Sequence, residues 1–221
     1  MNSVIIPAGG SGTRFSETES KLFYTLNEKT ILETTVETFY NHHLIDEIII
    51  PCPLNEHRRF EDTLIRYTSK LILCEGGKQR ANSVYNAFQL TNKNAKNILI
   101  HDAARPNITP HLIEAIINEL NHHPVVIPAI SVTDTIKEVQ GNKIIKTLNR
   151  NNLKAVQTPQ GFHKSCLENA YLKTTDLENH TDEASIIESI GIQGKIIAGT
   201  PSNIKITHPN DLAILRLIFG M

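Results

Sequence analysis

Short apolar, β-branched runs alternate with amphipathic stretches along the first 130 residues, and that alternation leaves the chain few architectures. Residues 3–6, 47–50, 71–74, 97–100 and 125–130 are almost continuously apolar, the pattern of strands buried on both faces. Between them, residues 31–40, 56–67, 80–90 and 110–121 carry helical spacing. In the last of these, Pro110 suits a first helical position after Thr109, and Leu112, Ile113, Ile116, Ile117 and Leu120 share one face. The pattern predicts an α/β fold, a mostly parallel sheet flanked by helices. With 221 residues and a hydrophobic fraction of 40%, one domain spanning 1–221 with a large core is expected.

The rhythm breaks after Ile130. Residues 134–139 and 143–148 flank Gln140-Gly141-Asn142 and read as a β-hairpin, an arm at about 133–152. Lys137, Glu138, Lys143, Lys146 and Thr147 are interleaved there with Ile136, Val139, Ile144 and Ile145. A two-stranded ribbon is marginal in water, so the arm is expected to pack on something else, most simply a second subunit. Beyond it the sequence predicts a short strand near 155–156, helices over 163–171 and 182–190, strands near 195–198 and 203–206, and a last helix from Pro209.

Chemistry-bearing residues follow the predicted strands. Pro7-Ala8-Gly9-Gly10-Ser11-Gly12-Thr13-Arg14 comes directly after the first, and Lys21 lies seven residues on. Gly9, Gly10 and Gly12 leave the backbone bare, so several peptide N–H groups can turn to one anion. Arg14 and Lys21 add a planar fork and a point charge, a combination suited to a polyphosphate. Two other glycine-loop readings fail on spacing. A dinucleotide fingerprint needs glycine where Phe15 stands, and a Walker A loop needs Gly before and Ser or Thr after a lysine that here sits between Ser20 and Leu22.

Gly76-Gly77 with Arg80 and Ser83 follows the third strand and would let a flat base approach peptide groups and a hydroxyl. His101-Asp102-Ala103-Ala104-Arg105-Pro106 follows the fourth. A carboxylate at a strand end beside a phosphate loop is where Mg²⁺ would be held, which singles out Asp102, with Arg105 able to pair with it or hold a second phosphate. Later, Thr181 reads as an N-cap before Asp182-Glu183, and Lys205 lies on a predicted strand.

Bulk properties exclude other classes. A formal net charge of -1 without a basic block argues against a nucleic-acid partner. No run approaches a membrane span, and the N-terminus enters a strand directly, so a cytoplasmic protein without membrane partners is expected. Cys52, Cys74 and Cys166 form no CxxC pair, and the pairs His42-His43 and His122-His123 sit at helix ends, where histidines are ordinary.

The ordered set of residues 7–14, Lys21, Gly76-Gly77 with Arg80 and Ser83, residues 101–106, Asp134-Thr135, Asn149-Arg150, Thr158-Pro159-Gln160, 181–184 and 203–205 resembles the 2-C-methyl-D-erythritol 4-phosphate cytidylyltransferase family nearly end to end. Relatives that act on ribitol 5-phosphate share much of it. The resemblance implies a Rossmann-like nucleotidyltransferase fold and a homodimer that exchanges the arm. It further implies transfer of CMP from CTP to methylerythritol phosphate in isoprenoid precursor synthesis, with Mg²⁺. Arg14, Lys21 and Lys205 would be the catalytic cations, and Pro7, Ala8, Gly9, Gly10, Gly77 and Ser83 would line the CTP site. Asp102, Arg105 and Thr181 would contact the acceptor, and Thr135 and Arg150 would reach its phosphate from the partner's arm. Two positions depart from the family pattern: Ser20-Lys21-Leu22 replaces Pro-Lys-Gln, and Lys78 stands where an acidic residue is usual. A regulator that binds nucleotide without catalysis is an alternative from another class, against which the four groups Arg14, Lys21, Asp102 and Lys205 speak together.

Overall fold

The computed structural model describes residues 1–9, 20–26 and 28–220. Strand β1 (Asn2–Ile5) lies at the centre of the main sheet. The short strands β2 (Thr25–Leu26) and β3 (Lys29–Thr30) pair with each other and lead into α1 (Ile31–Tyr40). Thr30 starts that helix through a capping box: its Oγ1 accepts from the Glu33 N–H at 3.1 Å while Glu33 Oε2 accepts from the Thr30 N–H at 2.8 Å. There follow β4 (Glu47–Cys52), α2 (His57–Leu64), β5 (Leu71–Glu75), α3 (Arg80–Gln89), β6 (Asn97–Ile100) and α4 (Pro110–Glu119). Pro110 begins α4 with Thr109 as its cap, as the spacing predicts.

β1 pairs in parallel with β4 on one side and β6 on the other, and β5 extends the sheet beyond β4. Successive side chains point to opposite faces, and both faces are covered. Val4, Ile48, Ile50, Leu99 and Val126 enter the core shared with α1, α2, α4 and α7 (Asp211–Ile218). Ile5, Ile49, Ile98, Ile100, Val125 and Ile127 enter the core shared with α3, α5 (Lys164–Lys173) and α6 (Glu183–Ser189). That double burial explains why these strands read as unbroken apolar runs.

The second half is less regular. β7 (Val125–Ser131) runs into the arm, formed by β8 (Lys137–Gln140) and β9 (Lys143–Thr147) as a separate two-stranded sheet. β10 (Lys154–Val156) returns antiparallel to β7, and β11 (Gln160–His163) inserts antiparallel between β6 and β7. β12 (Lys195–Ala198) adds to β7 in parallel. Strand β11 was not expected, since a lone Phe162 carries its apolar character. Burial decides there, with Gly161 lying so close to α4 that a Cβ would come within 2.4 Å of the Ile116 side chain. The strand expected near 203–206 does not form. Ile206 is buried and Lys205 exposed, but Asn203 is buried as well, which breaks the alternation; the Ile206 N–H donates to Ala104 O at 2.9 Å while the Asn203 N–H turns back to Thr200 O at 3.0 Å. Among the described residues no helix is long and apolar enough to cross a membrane.

Candidate active site

β1 is the point at which the chain turns from one side of the sheet to the other, its parallel neighbours being β4 and β6. Ligands of open α/β sheets gather beyond the strand carboxyl ends at such a point. The segment after β1 keeps to the sheet at first: the Ile6 N–H donates to Ile49 O at 2.9 Å and the Ala8 N–H to Pro51 O at 3.0 Å. Pro7 has no N–H and that of Ala8 is engaged. Gly9 is therefore the first residue of the loop whose amide the sheet does not use; Gly10 and Arg14 lie outside the described residues.

Beside Gly9, the loop between β5 and α3 folds tightly. The Gly77 N–H donates to Ser83 Oγ at 2.9 Å, and the Ser83 hydroxyl lies 3.0 Å from Gln79 O. A Cβ on Gly77 would meet Asn82 Cβ at 2.3 Å, so only glycine fits. A Cβ on Gly9 would stand 3.8 Å from the same Ser83 oxygen, which places the two glycine loops side by side. Lys78 is exposed.

Asp102, just beyond β6, is the electrostatic centre. Its Oδ2 lies 2.9 Å from Lys205 Nζ and 3.4 Å from Arg105 Nε, and its Oδ1 lies 3.5 Å from Arg80 Nε. Burial alone would raise the pKa of this carboxyl; Lys205, Arg80 and Arg105 together hold it well below the usual carboxylate range. Arg105 also donates through Nη1 to Asn203 O at 2.7 Å, tying the loop after β6 to the segment carrying Lys205. Of the two roles the sequence allows Arg105, it takes the pairing one here.

Lys21 belongs to this assembly. Its Nζ donates to Ile206 O at 2.5 Å, next to Lys205. The lysine stands on one 3₁₀ turn, Lys21–Phe23, anchored by buried Leu22 and by Phe23. The Phe23 ring packs edge-on against Phe60 with centroids 5.1 Å apart, and the Arg59 guanidinium lies 3.8 Å from its centroid.

Beneath the cluster runs a buried polar relay. The Asp102 N–H donates to Thr158 Oγ1 at 3.1 Å, which leaves the Thr158 hydroxyl to donate to His101 Nδ1, also at 3.1 Å. His101 then donates from Nε2 to Arg105 O at 3.1 Å. Burial pulls the His101 pKa down to about 4, so the ring is a neutral strut that fixes the 101–105 loop. Asn203 Nδ2 donates to Thr158 O at 2.8 Å, across a cis Thr158–Pro159 bond.

The acceptor-side expectations divide. Thr181 is exposed and is not the N-cap of α6. Asp182 takes that place, its Oδ1 accepting from the Ser185 N–H at 3.0 Å while its Oδ2 accepts from Gln160 Nε2 at 2.7 Å. The preceding Thr181 is thereby tethered to β11, alongside β6. Thr135 and Arg150, in contrast, are both exposed around the arm. Arg150 donates to Thr133 O, and among the described residues no hydrogen bond or ion pair joins either residue to Asp102 within one chain. Sequence reasoning missed the pairing of Arg80 with Glu183, which no local signal announces: Arg80 Nη1 lies 2.9 Å and 3.2 Å from the two Glu183 oxygens.

Among the described residues, His42, His43 and Glu114 form a separate group with metal-ligand atoms within 4.8 Å of one another. His42 Nδ1 accepts from the Leu44 N–H at 3.2 Å, so its proton sits on Nε2, facing Pro110 O at 3.3 Å. That neutral form offers no lone pair to a cation.

The family model described as IspD, 2-C-methyl-D-erythritol 4-phosphate cytidylyltransferase, matches residues 2–220. The chain belongs to the IspD family. It is 40% identical over 219 residues to the 2-C-methyl-D-erythritol 4-phosphate cytidylyltransferase of Crocosphaera subtropica, covering 97% of this chain and 96% of that one. To the Bacillus cereus protein of the same name it is 36% identical, with 97% and 96% covered. The crystal structure of the Francisella tularensis protein so named superposes with a TM-score of 0.84 at 33% identity, covering 98% of each chain. IspD relatives are cytidylyltransferases, and the Asp102 cluster lies just beyond the carboxyl end of β6, on the side of the sheet where ligands of open α/β folds generally gather.

Proposed function

We propose that the chain transfers CMP from CTP to 2-C-methyl-D-erythritol 4-phosphate and releases pyrophosphate, a step in isoprenoid precursor synthesis. The observation that carries the reading is the convergence of Arg80, Arg105 and Lys205 on one strand-end carboxylate, Asp102, with Lys21 bonded to Ile206 O next to Lys205, in a chain matched end to end by the IspD family.

A phosphate oxygen of the acceptor attacks the α-phosphorus of CTP in line as the bond to the pyrophosphate oxygen breaks. A phosphate monoester has a second pKa of about 6, so at neutral pH the nucleophile is largely a dianion and needs no dedicated base. The difficulty is to bring two anions together and to stabilise charge on the α-phosphoryl oxygens. Lys21, Lys205 and Arg14 are the groups for that task. Gly9 and Gly10 supply bare backbone for the phosphates, Pro7 and Ala8 carry the loop to them, and Gly77 and Ser83 shape the cytosine pocket. Asp102, Arg105 and Thr181 would meet the acceptor in the same subunit, and Thr135 and Arg150 would reach its phosphate from a partner's arm in a homodimer. The arm supports this reading, with all residues of β8 and β9 exposed and Val139, Ile144 and Ile145 more than half exposed in the single chain.

Mg²⁺ fits Asp102 in a limited way. Among the described residues, Oδ2 is engaged by Lys205 and Arg105, whereas Oδ1 has the 3.5 Å contact to Arg80. One lightly engaged oxygen suits an ion held mainly by substrate phosphates rather than by an all-protein cage. When bound, the ion would neutralise triphosphate charge.

The test is pyrophosphate release with Mg²⁺ and CTP, comparing methylerythritol phosphate with ribitol 5-phosphate and then replacing CTP by UTP or ATP. Turnover with methylerythritol phosphate and CTP is expected. Release with ribitol 5-phosphate alone would reassign the acceptor, and release with neither would remove the catalytic reading.

A further inference from the structure

Arg80 is the first residue of α3, the helix that carries Ser83 and follows the loop of Gly77, yet its side chain bonds to neither of these residues and reaches toward α6 and Asp102. It reaches Glu183, the first residue of α6, through two contacts of 2.9 and 3.2 Å, and turns its Nε toward Asp102 at 3.5 Å. Glu183 is fully buried, and Arg80 is its hydrogen-bonding side-chain partner. Asp182 beside it is fixed by Gln160, with Thr181 next in line. One planar guanidinium therefore braces the ends of two helices and the loop after β6.

We propose that Arg80 is a positioning residue for the acceptor half of the site, setting the orientation of Asp102 and, through Glu183, the start of α6 with Thr181. This rests on the proposed cytidylyl transfer and goes beyond it in assigning a role to a pair that need not touch either substrate. The geometry asks for arginine specifically. A guanidinium offers donors along two edges at fixed angles, so it can serve Glu183 from Nη1 and face Asp102 from Nε at once, whereas an ammonium is a single point. Burial sharpens the argument, because a carboxylate with no access to water stays in place only while its partner does. Asp102 would keep Lys205 and Arg105 without Arg80, but both pull on Oδ2, leaving the carboxylate free to swing about that oxygen.

Two variants test the proposal. Arg80→Lys keeps a positive charge for Glu183 and loses the bridge. The double variant Arg80→Met with Glu183→Leu removes both buried charges together, a replacement that buried ion pairs often tolerate without loss of stability. For each, the KM values for methylerythritol phosphate and CTP, kcat and the thermal midpoint are measured. The expected result is a rise of roughly tenfold in the KM for methylerythritol phosphate, less than twofold in that for CTP, and a rise in the acceptor KM for Arg80→Lys even where its midpoint is unchanged. The single variant Glu183→Gln, which keeps Arg80 and one oxygen to accept from it, should retain most of the acceptor affinity. Arg80→Lys with wild-type KM values overturns the proposal, as does a parallel loss for both substrates tracking the midpoint, which would mark a purely structural pair. Wild-type protein inactive with CTP and methylerythritol phosphate would sink the transfer reading instead, so the two failures are distinct.

Discussion

The Asp102 cluster and the β8–β9 arm are built on opposite terms. The cluster is assembled within one chain, where each charge has a partner, the relay through Thr158 and His101 is closed, and Asp102 is buried. The arm has polar and apolar residues on display, and its ion pair, Lys146 with Glu138 at 3.0 Å, stands in solvent. The difference teaches that preorganisation is local. One half of the proposed site is finished by its own fold, whereas the other consists of exposed groups, Thr135 and Arg150, that gain surroundings only from another molecule.

Lys21→Ala should give the largest effect. Removing a charged donor from the preorganised half is expected to lower kcat by roughly 10²- to 10³-fold with circular dichroism unchanged, by analogy with the loss of one oxyanion donor. Normal turnover would detach Lys21 from the chemistry. A second test probes the relay by pH. His101 has a folded pKa near 4, below its ordinary 6.5, so between those values the unfolded chain binds a proton that the folded chain does not. Its contribution is therefore complete above about pH 6.5 and lost as pH falls toward 4, amounting to ~3 kcal/mol at most. The stability gap between wild type and His101→Asn, from denaturant melts, should narrow as pH falls through that window; a constant gap would show that the ring titrates alike in the folded and unfolded chain.

On the arm side, Arg150→Ala is expected to raise the KM for methylerythritol phosphate by roughly tenfold with little change in kcat, since a charge-assisted contact to a non-reacting group is lost. Mixing Lys21→Ala with Arg150→Ala chains at methylerythritol phosphate concentrations well below the raised KM, where both are weakly active, should restore part of the activity if sites are shared between subunits, and no recovery after verified subunit exchange would confine each site to one chain. The smallest effect belongs to Lys146→Ala. An exposed pair of this kind contributes less than about 1 kcal/mol, so a large drop in the melting midpoint would mean that the arm is buried in the assembly.

Much of the first half was legible because its strands are buried on both faces and its helices carry local start signals such as Thr109-Pro110. The strand-end positions of Gly9, Gly77 and Asp102 followed from that. β11 was not legible, since Gln160-Gly161-Phe162-His163 is a strand only by virtue of β6 and β7 on either side of it. Residues 203–206 misled in the opposite way: Asn203 and Ile206, three residues apart, are both buried and clamp the segment to Thr158 and Ala104 without a ladder. The cap of α6 was misplaced by one residue because Thr181 and Asp182 are both good caps, and the tie from Gln160 chooses between them. Arg80 and Glu183, 103 residues apart, are joined by tertiary structure alone.

The ring of Phe23, held between Phe60 and Arg59, has a reach beyond its own packing. Because a single turn links that ring to Lys21, α2 helps to set where the lysine stands, alongside the hold of Ile206 O on its ammonium. Sequence drift in the hydrophobic interior can therefore retune a reaction whose charged groups stay the same, and an inhibitor that wedges this helix outward would disarm the lysine without ever competing with nucleotide.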